Sequence, residues 1–373
     1  MKIVVTGANG FLGWHLRCRL RALTDATVAA VGRADLERLP DVVHDADAVV
    51  HLAGVNRGAD TELIEANVEL SRVVADAVTR SDRRPRIVFA NSIQAGNGTP
   101  YGDGKAAAAA VLARATGSVG STFVDIRLPN LFGEHGRPHY NSFVATFCHE
   151  LAVRQRPKMV DRGVALLHAQ RAAQVVMDGL VGESRIDNPS GVPVTVGAVL
   201  RTLQRFQHLY DKGDIPPLVS DLDIELFNAF RAALFPARYP IPLVKRADAR
   251  GELFECVRSL GGSGQSFVSS TVPGATRGEH FHLHKVERFV VLRGRARITL
   301  RRLLTDEVVA FEVDGESPAA VDMPTMWAHN ITNTGDGELV TLFWTNTVFD
   351  AAHPDTYPER VQQQDAAKEL ALP

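Results

Sequence analysis

Cysteine is scarce in this chain. Cys18, Cys148 and Cys256 are the only three in 373 residues, too few and too scattered for a disulfide framework or a thiolate metal site. Net charge is nearly absent as well. Lys and Arg number 41 against 43 Asp and Glu, a formal −2, so the basic footprint of a nucleic-acid binder is missing. No apolar run reaches the roughly 18 residues that would make a membrane span, so no membrane insertion is expected. The opening MKIVVTG lacks the basic stretch, apolar core and small-residue cleavage site of a secretory leader, so the expected location is the cytoplasm with reduced thiols. What is present is ordinary: 45% hydrophobic and 23% charged residues, the composition of a globular chain long enough for two or three domains.

The first hundred residues alternate strand and helix patterns. Residues 3–5 read as a short buried strand, followed by Gly7-Ala8-Asn9-Gly10-Phe11-Leu12-Gly13 and then by Leu12, Leu16, Leu20 and Leu23 on one helical face. Strand, glycine turn, helix is the context a dinucleotide fingerprint needs. Glycines let the backbone turn sharply and approach a pyrophosphate, and the helix N-terminus offers N–H groups to it. Gly7, Gly10, Phe11, Leu12 and Gly13 are therefore expected at the cofactor. The second strand ends Val31-Gly32-Arg33, without the Asp or Glu of an NAD-preferring site. A guanidinium suits a 2′-phosphate, so Arg33 points to NADPH rather than NAD; the alternative is a solvated arginine with the preference set elsewhere. Residues 48–52 form a third strand leading into Ala53-Gly54, which places Leu52, Ala53 and Gly54 along the same cofactor. A fourth strand, 86–90, ends in Asn91-Ser92. The alternation predicts an α/β doubly wound parallel sheet with ligands at the carboxyl ends of its strands.

TGANGFLG, VVHLAG, the serine after the fourth strand and Tyr101-Gly102-Asp103-Gly104-Lys105 together resemble an extended short-chain dehydrogenase/reductase. The resemblance implies that Tyr101 is the general acid. Lys105, four residues on and on the same helix face, lowers its pKa and holds the nicotinamide ribose. Ser92 donates to the substrate carbonyl oxygen, with Asn91 the competing candidate for that contact. The chemistry is reasonable, since a phenol of pKa about 10 is a poor proton carrier at neutral pH and an adjacent ammonium favours its ionised form. Ala106 to Ala110 extend the helix with the best helix former.

Arg127-Leu128-Pro129-Asn130-Leu131-Phe132-Gly133 resembles the segment that passes the nicotinamide and then meets a nucleotide sugar in such reductases. Pro129 is expected on the cofactor side, and Asn130, Arg137, Tyr140 and Asn141 on the substrate side. Arg137 suits a diphosphate or, equally, solvent. The run RLPNLFGEHGRPHYNSFVATFCHELA is similar to the CapF-like capsular-polysaccharide family, which reduces a UDP-linked keto sugar. One departure is clear. LLHAQRAAQVV, with His168, Gln170 and Arg171, stands where extended reductases carry Val-Asp-Asp and frame the substrate pocket. Pro236, Pro240 and Pro242 then suggest a linker. They place the expected boundary between a reductase domain at 1–242 and a second domain at 243–373.

The second domain carries the metal signal. His280 and His282 alternate by two, so on a strand both face one way; Glu287 follows a turn and starts the next strand; His329 is available as a fourth ligand. Three imidazoles and a carboxylate suit Zn²⁺ first, with Fe²⁺, Ni²⁺ or Mn²⁺ as alternatives. The spacing resembles the first motif of the all-β cupin, or jelly-roll, barrel. The second motif matches at Pro324, His329 and Asn333, with Met326 where a glycine is usual. Arg293, Arg295, Arg297 and Arg301 share a strand face that reads as a solvated surface or a phosphate patch. The CapF-like resemblance continues through Arg250-Gly251-Glu252, the metal row, Phe343-Trp344-Thr345-Asn346, Phe349-Asp350 and Pro354-Asp355-Thr356-Tyr357. It implies that the cupin epimerises a UDP-linked 4-keto-6-deoxy amino sugar at C3 before reduction at C4. Lys285, His284 and Glu255 are then the candidate proton carriers, and the chain a homodimer. Two alternatives are a cupin that only dimerises or holds sugar, and a metal-dependent cupin oxygenase fused to a dehydrogenase.

Overall fold

The computed structural model describes residues 1–362. Residues 363–373, the end of the expected second domain, lie outside the described residues. The chain divides into two compact units, residues 1–131 with 165–193, and residues 132–164 with the described residues from 194 onward.

The first unit is built on a six-stranded, all-parallel sheet in the order Thr27–Val31, Lys2–Thr6, Ala48–His51, Arg86–Ser92, Phe123–Leu128, Arg185–Asp187. Successive strand side chains alternate between its two faces, and both faces are covered. Ile3, Val5, Val28, Val50, Val88 and Ile126 pack against Leu16, Leu20, Ala172 and Val176 from helices Phe11–Leu23 and Ala169–Asp178. Val4, Ala29, Val49, Ile87 and Phe89 pack against Val74, Val78 and Leu112 from helices Asp60–Thr79 and Pro100–Val119. Strand order reverses at Lys2–Thr6, whose neighbours follow it in sequence on either side. A crevice opens at such a point, outside the carboxyl ends of the strands. This is the doubly wound sheet expected from the alternation of patterns.

The second unit is antiparallel. One five-stranded sheet runs Ile241–Pro242, Ala319–Met323, Glu287–Arg293, Leu339–Thr345, Gln265–Thr271; the other runs Val308–Asp314, Arg295–Arg302, Trp327–Asn333, Thr276–Phe281, Tyr357–Pro358. Phe289 of the first sheet meets His329 of the second with ring centroids 5.8 Å apart, so their inner faces pack together. This is the all-β architecture expected downstream of the parallel sheet. Helices Val196–Tyr210 and Asp221–Leu234 belong to the same unit. The proline cluster is a built connection there: Tyr239 is buried, and Ile241 and Pro242 pair with Ala320 and Ala319. Among the described residues, no helix is long and apolar enough to cross a membrane.

What joins these helices to the first sheet is polar and fully buried. Arg288 donates to Asp322 through Nε at 2.6 Å and Nη2 at 3.0 Å, and through Nη1 to the Gly213 carbonyl at 2.8 Å. The Tyr210 hydroxyl donates to the same Asp322 carboxylate and lies 2.7 Å from the Tyr239 hydroxyl. Burial alone would raise Asp322, but the Arg288 guanidinium outweighs it and keeps the carboxyl below its ordinary range. Removing one member leaves a buried charge without its partner, so Asp322→Ala is expected to destabilise the fold by about 3–5 kcal/mol in denaturant unfolding. Arg297→Ala, which breaks an exposed pair with Glu312, should cost under about 1 kcal/mol.

Candidate active site and metal centre

The glycine turn is shaped by contacts no side chain would permit. Gly7 has φ 68°, and a Cβ there would sit 2.7 Å from the Ala53 amide nitrogen. A Cβ on Gly13 would sit 2.3 Å from the Gly7 carbonyl oxygen. The loop thus lies directly on Leu52-Ala53, the end of the neighbouring strand across the reversal point. Gly10 caps helix Phe11–Leu23 without any side-chain hydrogen bond, and the first-turn amides have no partners within the helix. Phe11 and Leu12 are half-buried in that turn, and Gly54 is exposed beyond Ala53. These residues fit a dinucleotide pyrophosphate. Arg33 is exposed at the end of Thr27–Val31, and the Asp35 carboxylate accepts from the Gly32 amide at 2.9 Å beside it.

Helix Pro100–Val119 starts at Thr99, whose hydroxyl accepts from the Gly102 amide. Its first turns bring Tyr101 and Lys105 to the end of strand Arg86–Ser92. Burial raises the Tyr101 phenol above its ordinary value, and a hydrogen bond with the Ser92 side chain pulls the other way. Lys105 is buried, donates to the Ala90 carbonyl at 2.7 Å and stands 4.2 Å from the Phe89 ring centroid. Burial lowers its ammonium to about 7, against the opposing pull of Asp125. With the protein's own groups alone, then, the phenol is governed by burial and Ser92, and the lysine is not among the groups lowering it. Asn91 is buried, with its Oδ1 taken by the Ser92 amide and its Nδ2 without a hydrogen-bond partner.

Two features of this site were not anticipated from the sequence. His51 is buried, 2.7 Å through Nδ1 from Thr6 Oγ1 and 3.4 Å through Nε2 from Ser71 Oγ. Burial, and then the Lys105 charge, lower it to about 3, so it is a neutral tie between strand ends. Asn67 pins the loop after Gly54, donating to the Val55 carbonyl at 2.7 Å and accepting from the Val55 amide at 3.2 Å. Both are polar residues in apolar patterns, which is the only signal the sequence offers for them.

Of the expected substrate segment, Pro129 is buried and Asn130 donates to the Ala165 carbonyl at 3.3 Å. Further on, Arg137, Tyr140 and Asn141 are exposed, with the Arg137 guanidinium 5.1 Å from the Tyr140 ring centroid. Glu134, between these groups in sequence, is buried and accepts from Thr325 Oγ1 at 2.7 Å.

In the second unit four groups converge. The ligand atoms of His280, His282, Glu287 and His329 all lie within 4.8 Å of one another. Glu287 Oε2 is 3.0 Å from His282 Nε2, 3.2 Å from His329 Nε2 and 4.0 Å from His280 Nε2. Each is delivered by its backbone. His280 pairs with His329 across neighbouring strands, after a bulge at Gly278 and Glu279. Glu287 opens the strand of the facing sheet. His282 Nδ1 faces the Asp355 carbonyl at 2.5 Å and His329 Nδ1 the Trp327 carbonyl at 3.1 Å. A carbonyl only accepts, so these Nδ1 atoms carry protons and Nε2 is the atom each ring turns toward the centre. Burial, then His329 and His282, lower His280 to about 3; burial alone would raise Glu287, but His282 and His329 hold it well below the carboxylate range. Three imidazoles and a carboxylate with their ligand atoms this close fit a divalent cation, which would bind as the rings give up their Nε2 protons.

Other expected groups lie differently. Lys285 Nζ donates to the Pro354 carbonyl at 2.7 Å and to Thr356 Oγ1 at 3.1 Å, away from the His/Glu cluster in its hydrogen bonding. Three arginines of the stripe are paired: Arg293 with Glu338, Arg297 with Glu312, and buried Arg301 with Glu359. Met326 keeps the turn of the glycine it replaces, at φ 60°.

Residues 3–172 match the NAD dependent epimerase/dehydratase family, and residues 246–357 match the polysaccharide biosynthesis C-terminal domain. The chain is 32% identical over 366 residues to the UDP-2-acetamido-2,6-beta-L-arabino-hexul-4-ose reductase of Pseudomonas aeruginosa, covering 96% of this chain and 98% of that one. Its structure is similar to the crystal structure of the capsular polysaccharide assembling protein CapF from Staphylococcus aureus, with TM-score 0.61 and 31% identity over 96% of this chain and all of that one. CapF with the inhibitor 3-isopropenyl-tropolone gives TM-score 0.58 and 30% identity at the same coverage of this chain. The likeness runs along nearly the whole length of both proteins, and the chain belongs to the CapF-like family of UDP-sugar reductases.

Proposed function

We propose that the chain is a bifunctional nucleotide-sugar enzyme. The antiparallel unit epimerises C3 of a UDP-2-acetamido-2,6-dideoxy-4-hexulose, and the parallel-sheet unit reduces the C4 ketone with NADPH to a talose-type product. The observation that carries this reading is the convergence of His280, His282, Glu287 and His329 in a chain that also holds Tyr101 against Ser92.

A reductase alone needs no second cluster of buried imidazoles. A divalent cation held by those four residues, Zn²⁺ as first choice, would supply Lewis acidity toward a ketone oxygen, which acidifies the proton on the adjacent carbon. The chain's own part is to aim Nε2 of His282 and His329 at the cluster and to move the C3 proton. Lys285 is the carrier we assign, released from Pro354 and Thr356 when it acts. In the other unit, NADPH bound along the glycine turn would supply the hydride. Ser92 donates to the C4 oxygen, Tyr101 gives it the proton that completes the alcohol, and Lys105 holds the ribose. Arg137, Tyr140 and Asn141 contact the UDP moiety. A second copy of the chain is the proposed partner, in keeping with the open groove that Ile64, Val68, Ala107 and Val111 line together with Glu65, Glu69, Arg72 and Arg114, and the enzyme is proposed to work in the cytoplasm.

The reading has direct tests. Incubated in D₂O with a UDP-2-acetamido-2,6-dideoxy-4-hexulose and no NADPH, the protein is expected to place deuterium at C3, seen by NMR, and His282→Ala to abolish this. Absence of exchange in the wild type would make the antiparallel unit a non-catalytic module. Tyr101→Phe should lower NADPH-dependent reduction by about 10²–10⁴-fold, followed at 340 nm, while C3 exchange continues. Arg33→Ala should raise KM for NADPH and leave KM for NADH unchanged; equal effects on both would remove the 2′-phosphate contact from the proposal.

A further inference from the structure

The four-residue cluster has a fifth dependency, 73 positions beyond His282 and invisible in the ligand motif. The segment from Pro354 to Val361 lies as a strap along the strand that carries His280. Tyr357 and Pro358 pair with Phe281 and His280, the Glu359 amide donates to the Glu279 carbonyl at 2.9 Å, and the Val361 amide donates to the Glu279 carboxylate at 2.7 Å. Arg301 Nε donates to the Val361 carbonyl at 2.8 Å.

Within the strap, Asp355 is special. Its carboxylate accepts three consecutive backbone N–H groups, from Leu283 at 2.9 Å, His284 at 3.0 Å and Lys285 at 2.7 Å. Charge-assisted bonds of this kind are about twice as strong as neutral ones. They hold the residue at φ 42°, a left-handed conformation that costs an aspartate free energy. In that conformation its own carbonyl meets His282 Nδ1 at 2.5 Å. One residue therefore clamps the turn between His282 and Glu287 with its side chain and sets the His282 ring with its backbone.

We propose that Asp355 is the positioning residue of the metal centre, acting through His282: its captured carboxylate fixes the carbonyl that keeps the Nδ1 proton in place and aims Nε2 at the cation. This rests on the metal reading above. The side chain, not the carbonyl alone, is essential, because without the three amides the strained backbone relaxes and the carbonyl swings away.

The test uses the full chain and Zn²⁺ in competition with a chelating dye, with Co²⁺ absorption as the spectroscopic readout. Asp355→Ala and Asp355→Asn are expected to weaken Zn²⁺ binding by about 10–100-fold and to shift the visible Co²⁺ bands. Glu359→Gln loosens the same strap at Arg301 and should keep wild-type affinity and spectrum. A folded Asp355 variant with wild-type affinity and bands overturns the proposal, as does Glu359→Gln losing as much as Asp355→Ala. If the Asp355 variants do not fold, ¹⁵N shifts of His282 in the metal-free wild type decide: a protonated Nδ1 supports the assignment and a bare Nδ1 overturns it. A wild-type chain that binds no Zn²⁺ removes the metal reading and this assignment together, a result distinct from any difference between variants.

Discussion

The Arg288–Asp322 pair is the constraint on which the second unit is built. Arg288 and Glu287 are consecutive on one strand, so their side chains leave opposite faces of the sheet. Glu287 enters the His/Glu cluster, while Arg288 turns toward the helices and reaches Gly213. Asp322 pairs across from Arg288 in register, seven residues before His329. Fixing Arg288 against Asp322 therefore fixes where Glu287 stands relative to the strand that leads to His329. Two charges taken out of water gain little net stability over an apolar pair of the same size. What they contribute is register. A one-residue slip would turn Glu287 outward and bury Arg288 in the cluster.

The cluster inherits its electrostatics from that placement. A lone buried carboxylate would be driven toward its neutral form, yet Glu287 is held ionised by two imidazoles within 3.2 Å. The same closeness, added to burial, pushes His280 to its neutral form. The turn before His329 must be tight, and Met326 makes it in a left-handed conformation that disfavours any side chain. Its amide donates to the His282 carbonyl at 2.8 Å and its carbonyl accepts from Leu303 at 3.1 Å. Its side chain is fully buried. Packing and two backbone bonds offset a local strain that glycine would avoid, and they connect the turn directly to a metal-ligand residue.

Much of this was legible in the sequence because its signals are local. The glycine turn at Gly7 to Gly13 follows a strand within a few residues. The His280, His282 and Glu287 spacing states its own geometry on strand and turn. Helical and alternating periodicities gave the parallel and antiparallel halves. What was not legible joins distant positions. Asp355 stands out in the sequence only as part of a run that resembles the CapF-like family, and its role depends on a strap meeting a turn 70 residues earlier. Arg288 and Asp322 look like a surface arginine and a turn aspartate until the sheet pairs them. The proline cluster read as a linker because prolines end helices, but Tyr239 beside it is drawn into the buried tyrosine–aspartate network. The compact units accordingly follow packing rather than that punctuation, with residues 194–242 grouped with the antiparallel sheets.

In the first unit the electrostatics also bear on which form of the phenol the fold favours. Tyr101 has its phenol raised by burial, and Lys105 has its ammonium lowered to about 7 by the same cause. Both shifts favour the neutral form, and for a phenol that is the protonated one. A site so arranged keeps the phenol protonated, the form from which a general acid starts, but burial also makes it a weaker acid. The reverse reaction, oxidation of an alcohol, would need the phenolate, and here burial works against it. Ser92 moderates the shift without reversing it, because a hydroxyl bonded to the phenol offers a dipole and not a charge. Lys105 cannot supply that charge to the phenol while its ammonium is spent on the Ala90 carbonyl and the Phe89 face. The protein's own groups therefore keep the phenol protonated, and a bound cofactor that draws Lys105 toward its ribose would be a change able to shift that balance.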